Sequence, residues 1–186
     1  MPEDITSCLV KKAQSGDLRS FEQLIEQHQA KVFNIALGIM GNRQDAEDAA
    51  QIAFIKIYRA IGDFKSQSKF STWVYRITVN VCMDEVRKKK RHGSVSDEEI
   101  GDAFFADDSS SPEAQSLKSE QSEELKKAIA SLKPEHRKMI VLRDINGFSY
   151  EEIAKITRLS AGTVKSRINR ARAHLKDALI SSGYFM

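Results

Sequence analysis

Near the C-terminal end of this 186-residue chain, four side chains carry the groups needed to read DNA base edges: Lys165, Ser166, Asn169 and Arg170. In a major groove, Arg and Lys pair with guanine, Asn with adenine, and Ser with either. At about 100° per residue, Val164, Ile168, Ala171 and Leu175 form one narrow apolar stripe, and the four polar groups point the opposite way. Arg167, Arg172 and Lys176 lie on the flanks, where cations suit phosphates and fix register rather than read sequence. A basic helix face is often only solvated. Here it follows Ser149-Tyr150-Glu151-Glu152, a hydroxyl with a glutamate three residues on, which forms a capping box. The short helix this opens holds Ile153, Ala154 and Ile156. After a turn at Arg158-Leu159, Ser160 caps a last helix from Ala161 to about Ile180. A short capped helix, a tight turn and a longer basic helix make a helix-turn-helix pattern.

A second constellation suits single strands. Phe64, Phe70, Trp73 and Tyr75 precede the basic run Arg87-Lys88-Lys89-Lys90-Arg91-His92. Bases stack on rings while Lys and Arg track the backbone, at ~1–3 kcal/mol per stacked base. The competing reading, that Phe70 and Trp73 are simply core, stays open. A third group, Asp45, Glu47, Asp48 and Gln51, lies beside an apolar stripe. Acids in a first turn suit the helix dipole; the sharper reading is a protein-docking face.

Helices must position these groups. Pro2, Pro112 and Pro134 are the only prolines, so no helix breaker of that kind interrupts residues 3–111. Phe21, Leu24, Ile25, His28, Val32, Phe33, Ala36 and Met40 recur at helical spacing. Asn42 caps the next helix, whose stripe runs through Ala46, Ala49, Ala50, Ala53, Phe54, Ile57 and Ile61. Gly62 ends it, and a polar loop over 63–69 leads to a helix from about Ser71 to Lys89, with Trp73, Val74, Ile77 and Val81 inward. Residues 93–118 carry Asp97, Glu98, Glu99, Asp102, Asp107, Asp108 and Glu113, with neither Lys nor Arg from Gly93 to Gln115. This stretch reads as an acidic, mostly unstructured linker. The expectation is an all-α protein of two small helical domains, 1–92 and 119–186, joined by that linker. The net charge of +3 is a cancellation between two basic surfaces and the acidic link.

Several classes drop out. No stretch approaches the ~20 apolar residues of a membrane span, and the N-terminus has no cleavable signal pattern. Cys8 and Cys82 form no CxxC pair and read as reduced, small buried side chains in a cytoplasmic protein. His28, His92, His136 and His174 are scattered, with no metal-ligand spacing. No metal, cofactor or enzymatic activity is expected. A regulator that binds an operator as a dimer is the competing function; it has no need for the aromatic and basic segment around Trp73.

These residues resemble the extracytoplasmic-function (ECF) sigma factors of bacterial RNA polymerase. Asp45-Ala46-Glu47-Asp48-Ala49-Ala50-Gln51 is similar to the family's region-two motif for docking the β′ clamp helices, although Ile52 stands where an acid is usual. Phe70-Ser71-Thr72-Trp73-Val74-Tyr75-Arg76-Ile77 to Asn80 is similar to its minus-ten segment. Arg76 and Ile77 stand where primary sigma factors carry a tryptophan pair. Gly147-Phe148-Ser149-Tyr150-Glu151-Glu152-Ile153-Ala154 and Gly162-Thr163-Val164-Lys165-Ser166-Arg167 are similar to region four.

The resemblance implies two compact helical domains that act only within the polymerase holoenzyme, where DNA melting draws on binding and not on a nucleotide. Docking would use Asp45, Glu47, Asp48, Gln51, Phe54 and Tyr58. The minus-ten element would meet Phe64, Phe70, Trp73, Tyr75, Arg76, Asn80, Arg87 and Lys88, with the 63–72 loop holding a flipped base. Thr163, Lys165, Ser166, Arg167, Asn169 and Arg170 would read the minus-thirty-five element, with the other side of region four on the β flap. An anti-sigma partner and a stress or envelope response are implied too. The linker's carboxylates would thread a cationic polymerase channel as a nucleic-acid mimic.

Overall fold

The computed structural model describes residues 3–92 and 112–182, so the acidic stretch 93–111 and the expectations placed on it lie outside the described residues. Four helices make the first unit: α1 (Glu3–Gln14), α2 (Leu18–Met40), α3 (Arg43–Ala60) and α4 (Phe70–His92). Asp17 caps α2, accepting from the Arg19 N–H at 3.1 Å and the Ser20 hydroxyl at 2.7 Å. Gly41 ends that helix at φ +88°, where a side chain would be strained. Asn42 then caps α3 by accepting from the Asp45 N–H at 2.9 Å, as its place in the sequence predicts. Ala46, Ala49, Ala50, Ala53 and Ile57 are buried, so the alanine stripe of α3 lies against its neighbours. Leu24, Ile35, Ile39 and Val74 complete the inner layer, each almost wholly shielded from water. Burial on this scale is worth ~1.5–3 kcal/mol per large aliphatic side chain. On α4, Val74 and Val81 are buried, while Trp73 and Ile77 are only partly so.

The second unit comprises α5 (Pro112–Ser131), α6 (Pro134–Ile140), α7 (Tyr150–Thr157) and α8 (Ala161–Ser181). Helix α5 begins at Pro112, so residues 112–118 are helical, and the unstructured reading of the linker is corrected there. Proline is well tolerated at the first helical position because its missing N–H has no partner to lose. Pro134 opens α6 in the same way. After Ile140 the chain widens into a π-turn, Val141–Ile145, with the Asn146 N–H on Val141 O at 3.0 Å. The Ser149 capping box is complete: its hydroxyl accepts from the Glu152 N–H at 3.1 Å, and Glu152 accepts from the Ser149 N–H at 2.8 Å. Arg158, at φ +56°, makes the turn into α8, where Ser160 accepts from the Thr163 N–H at 3.2 Å.

The two units pack on one another, and a single hydrophobic core runs through both. A Cβ placed on Gly38 of α2 would lie 2.6 Å from a methyl of Val141, so only glycine permits this approach. Three cations bridge the seam. Lys31 donates to Asn146 O at 2.8 Å, Arg76 to Lys155 O at 3.0 Å, and Arg137 to Ile39 O at 3.1 Å. The cysteines divide: Cys82 is buried and its thiol is pushed up to about 12 by burial, but Cys8 is exposed, which corrects the expectation that both are buried. No described helix is long and apolar enough to cross a membrane.

Candidate nucleic-acid and protein interfaces

The helix-turn-helix is built as its pattern predicts. Val164, Ile168 and Ala171 are fully buried beneath α8, and Leu175 packs at the edge of the core. Lys165, Ser166, Asn169 and Arg170 are all exposed on the opposite face. Thr163 is half-buried and shares a 2.8 Å contact with the Ser160 hydroxyl, which gives it a capping role beside that face. The Ser166 hydroxyl donates back to Thr163 O at 3.0 Å, leaving its oxygen able to accept. The flanking cations are partly engaged. Arg167 lies 3.6 Å from Glu135, and Arg172 forks onto Asp144, whose hydrogen bond and charge raise the Arg172 pKa. Exposed pairs of this kind contribute ~0–1 kcal/mol, so a phosphate can displace them. His136 and His174 stack at 4.6 Å between ring centroids nearby. Partial burial, reinforced by His174, Lys133 and Arg170, lowers the His136 pKa.

The residues expected at the minus-ten element fall into three environments. Phe64 and Phe70 are buried and meet Trp73 at 5.2 and 5.7 Å, forming a three-ring cluster. Phe64 and Phe70 are therefore mostly buried within the cluster and build a wall of the site. Trp73 is half-buried: it belongs to the cluster and also keeps exposed surface. The wall borders a cavity of about 430 Å³. It is lined by Ser66 and Ser68 of the loop, by Gln27 and His28 of α2, and by Thr6 and Val10 of α1. Gln14 ties α1 to the loop, donating to Ile61 O at 3.0 Å and Phe64 O at 2.9 Å. Sequence reasoning missed Gln27, Thr6 and Gln14; the one available signal was His28, a polar ring within an apolar helical stripe. His28 lies 3.3 Å from the Tyr75 hydroxyl, and burial lowers its pKa.

Further along α4, Tyr75 packs on Phe148 at 5.4 Å, and Arg76 is held by the carbonyl of Lys155. Asn80 is exposed. Arg87 and Lys88 are exposed and pair within their own helix, with Asp84 at 3.0 Å and Glu85 at 2.6 Å. Such pairs are weak and leave both cations available to a polyanion.

The acidic motif also divides. Asp45 is drawn into the structure by the α3 cap and by an ion pair with Lys89 of α4. It joins α3 to α4 and is half-buried. Glu47 pairs with Arg43 at 2.8 Å on the surface. Asp48, Gln51 and Tyr58 are exposed, and Phe54 is half-buried. Glu47, Gln51 and Phe54 border an open groove of about 480 Å³ between α2 and α3, floored by Ala30, Phe33 and Ala50. Tyr58 stands at 51% exposure with its edge against Phe21 at 5.0 Å, and Ile55 beside it is 45% exposed. Among the described residues, no three His, Cys, Asp or Glu side chains converge as a metal site.

Comparison with known proteins gives this geometry a family. Residues 24–92 match the model of sigma-70 region 2, and residues 122–175 match that of sigma-70 region 4. The chain is 37% identical over 177 residues to the RNA polymerase sigma-H factor of Pseudomonas aeruginosa, covering 92% of each chain. It is 37% identical over 179 residues to the ECF RNA polymerase sigma-E factor of Escherichia coli K12, covering 92% of this chain and 93% of that one. Among solved structures, CnrH in complex with the cytosolic domain of CnrY superimposes with a TM-score of 0.68 at 27% identity, over 95% of this chain and 98% of that one. The sigma factor RpoE of Bartonella quintana, in complex with the anti-sigma factor NepR, gives 0.66 at 27% identity, over 87% and 98%. The chain belongs to the extracytoplasmic-function sigma factors of RNA polymerase, the DNA-binding proteins that recognise promoters and start transcription.

Proposed function

We propose a division of labour in which α8 reads the minus-thirty-five element as duplex and the α4 face with its cavity captures the minus-ten element as single strand. The observation that carries this reading is the exposed set Lys165, Ser166, Asn169 and Arg170 on a capped helix-turn-helix. The cavity beside Phe64 and Phe70 supports the second half, since its volume and its mixed wall of rings, hydroxyls and amide suit one flipped base. Asn80, Arg87 and Lys88 follow the adjoining backbone. Melting then draws on binding alone: base capture and cation–phosphate contacts offset a few kcal/mol of unstacking per base. In this reading the chain performs no catalytic step of its own and works in the cytoplasm, where core polymerase meets the promoter.

Docking to the β′ clamp helices uses Asp48, Gln51, Phe54 and Tyr58 along the α2–α3 groove, with Glu47 at its rim. The side of region four away from the reading face takes the β flap. An anti-sigma partner is supported by the solved relatives, which were captured with CnrY and NepR.

Run-off transcription with core polymerase on a promoter library, with and without this protein, tests the whole reading. A discrete subset of promoters sharing two spaced elements is expected. Asp48→Arg tests the docking half: it should lower the recovery of core polymerase with the protein while leaving the helical signal unchanged. Wild-type recovery would move the docking surface elsewhere.

A further inference from the structure

Helix α1 lies ahead of residues 24–92, the part of the chain that matches region 2, yet it reaches the cavity below Phe64 and Phe70. Val10 and Ala13 are buried in the core and fix this helix to the rest of its unit. Thr6 and Val10 line the cavity itself. Gln14, the last residue of α1, is exposed, and its side chain crosses to the loop. One atom makes both contacts there: Nε2 donates to Ile61 O at 3.0 Å and to Phe64 O at 2.9 Å.

The two carbonyls bracket the short helical turn Ile61–Asp63. Carbonyls at the end of a helical segment lack partners within it. Ile61 O already accepts from the Phe64 N–H at 3.1 Å, and Gln14 adds a second donor to it and one to Phe64 O. A side-chain amide nitrogen carries two hydrogens, and this site uses both. A carboxylate has none to give, and a hydroxyl has one. The contact is therefore specific to the chemistry of an amide or a cation.

The chain that leaves this clamp becomes the wall of the cavity. The Phe64 ring packs on Phe70 at 5.5 Å and on Trp73 at 5.2 Å. Two residues on, Ser66 stands at φ +53°. A residue other than glycine keeps that left-handed conformation only where its surroundings hold it. Ser66 and Ser68 then line the cavity together with Gln27 and His28 of α2. The loop is thus held at one end by Gln14 and at the other by Phe70, which is buried at the start of α4. A recess that selects one ligand must keep its polar groups within about 0.5 Å of the productive geometry. We propose that Gln14 is a positioning residue for minus-ten selectivity. By fixing the carbonyls of Ile61 and Phe64, it sets where Ser66 and Ser68 stand, and so which base the cavity accepts. This rests on the reading of the cavity as the pocket for a flipped base, given above.

Three substitutions in the full chain test the role. Gln14→Glu and Gln14→Met keep the length of the side chain and remove both donors. Gln14→Lys returns donors on a flexible stem. The position is exposed, so none of the three disturbs the core. Run-off transcription by the reconstituted holoenzyme, on a library randomised across both promoter elements, gives the base preference at every position. Glu and Met should lower the preference at one minus-ten position by about tenfold, since small misplacements are costly in a positioned site. The other minus-ten positions and the minus-thirty-five element should keep theirs, and Lys should recover most of the loss. An intact profile in the Met and Glu variants would overturn the role. So would an equal loss at every position of both elements, or a Lys variant that falls as far as Met. Trp73, the only tryptophan, supplies a readout without DNA because it packs on Phe64. Its emission should shift in the Glu and Met variants while the far-ultraviolet helical signal is unchanged; unshifted emission would overturn the clamp. If the wild-type holoenzyme has no selective minus-ten position, the reading of the cavity fails and takes this role with it. If it has one that Gln14→Met leaves intact, the assignment of Gln14 alone fails.

Discussion

The two DNA-facing surfaces of this molecule differ in how they are made. The α8 face is a single helix: Val164, Ile168 and Ala171 anchor one side, and Lys165, Asn169 and Arg170 stand out on the other. The α4 face is assembled from α1, α2, a loop and α4, and the second unit leans on part of it. A surface that reads duplex needs only a protruding helix with the right functional groups. A surface that holds a displaced strand needs a recess, and a recess needs walls from several elements. The first is presented by the period of one helix; the second depends on the packing of every element that walls it.

The largest expected effect strikes the support of the single-helix surface. Ile168→Ala removes a fully buried side chain beneath α8 and should cost ~2–5 kcal/mol. Hydrogen exchange should show the loss concentrated in α6–α8, with α1–α3 better protected. Equal loss in both units would mean that their shared core melts as one. Next comes the reading itself. Arg170→Ala should cost ~1–3 kcal/mol at one upstream base pair and relax the preference there. Uniform weakening on every promoter, with a shallower salt dependence, would make Arg170 a phosphate contact instead. Ser149→Ala removes one half of the capping box at the start of α7 and should cost ~1 kcal/mol, read as a lower midpoint in denaturant. Because α7 also meets α4 where Arg76 donates to Lys155 O, the same substitution should loosen the seam; an unchanged exchange rate at Arg76 and Tyr75 would separate the two roles.

The smallest effect concerns pH and belongs to the assembled surface alone. Burial favours neutral His28, so its pKa in the fold lies below the ordinary 6.5. Between those two values the unfolded chain binds more protons than the native one, so stability rises with pH in that window. The contribution is full above pH 6.5 and is lost as pH falls through the folded value. His28→Gln should flatten that part of the stability profile. An unchanged slope would assign it to His136, whose pKa is also lowered.

What could be read from the chain alone follows the same division. Asn42, Ser149 and Ser160 announce their helices because a cap acts on backbone groups two or three residues away. The α8 face was legible for the same reason: its geometry is the period of one helix. The cavity was not, since it brings Thr6 of α1 and Gln27 of α2 to the 63–69 loop, and Gln14 reaches carbonyls 47 and 50 positions away. The seam was least visible. Lys31 and Asn146 are 115 positions apart, and Arg137 and Ile39 are 98. Nothing in the local pattern around Gly38 distinguishes a close approach from an ordinary helical glycine. The helical start of α5 at Pro112 was hidden by the acidic, proline-marked composition before it, although proline is at home in a first turn.

The π-turn at Val141–Ile145 has a consequence for how this chain tolerates length changes. Relative to an α-helix, such a turn accommodates one surplus residue. Deleting a single residue there should let the ordinary ladder close, and everything downstream would rotate by about 100° about the axis. Phe148 would then no longer arrive over Tyr75, and the packing of α8 on Met139 and Ile140 of α6 would be lost with it. A one-codon deletion would thus re-aim α7 and α8 relative to the rest of the chain, with their caps still in place.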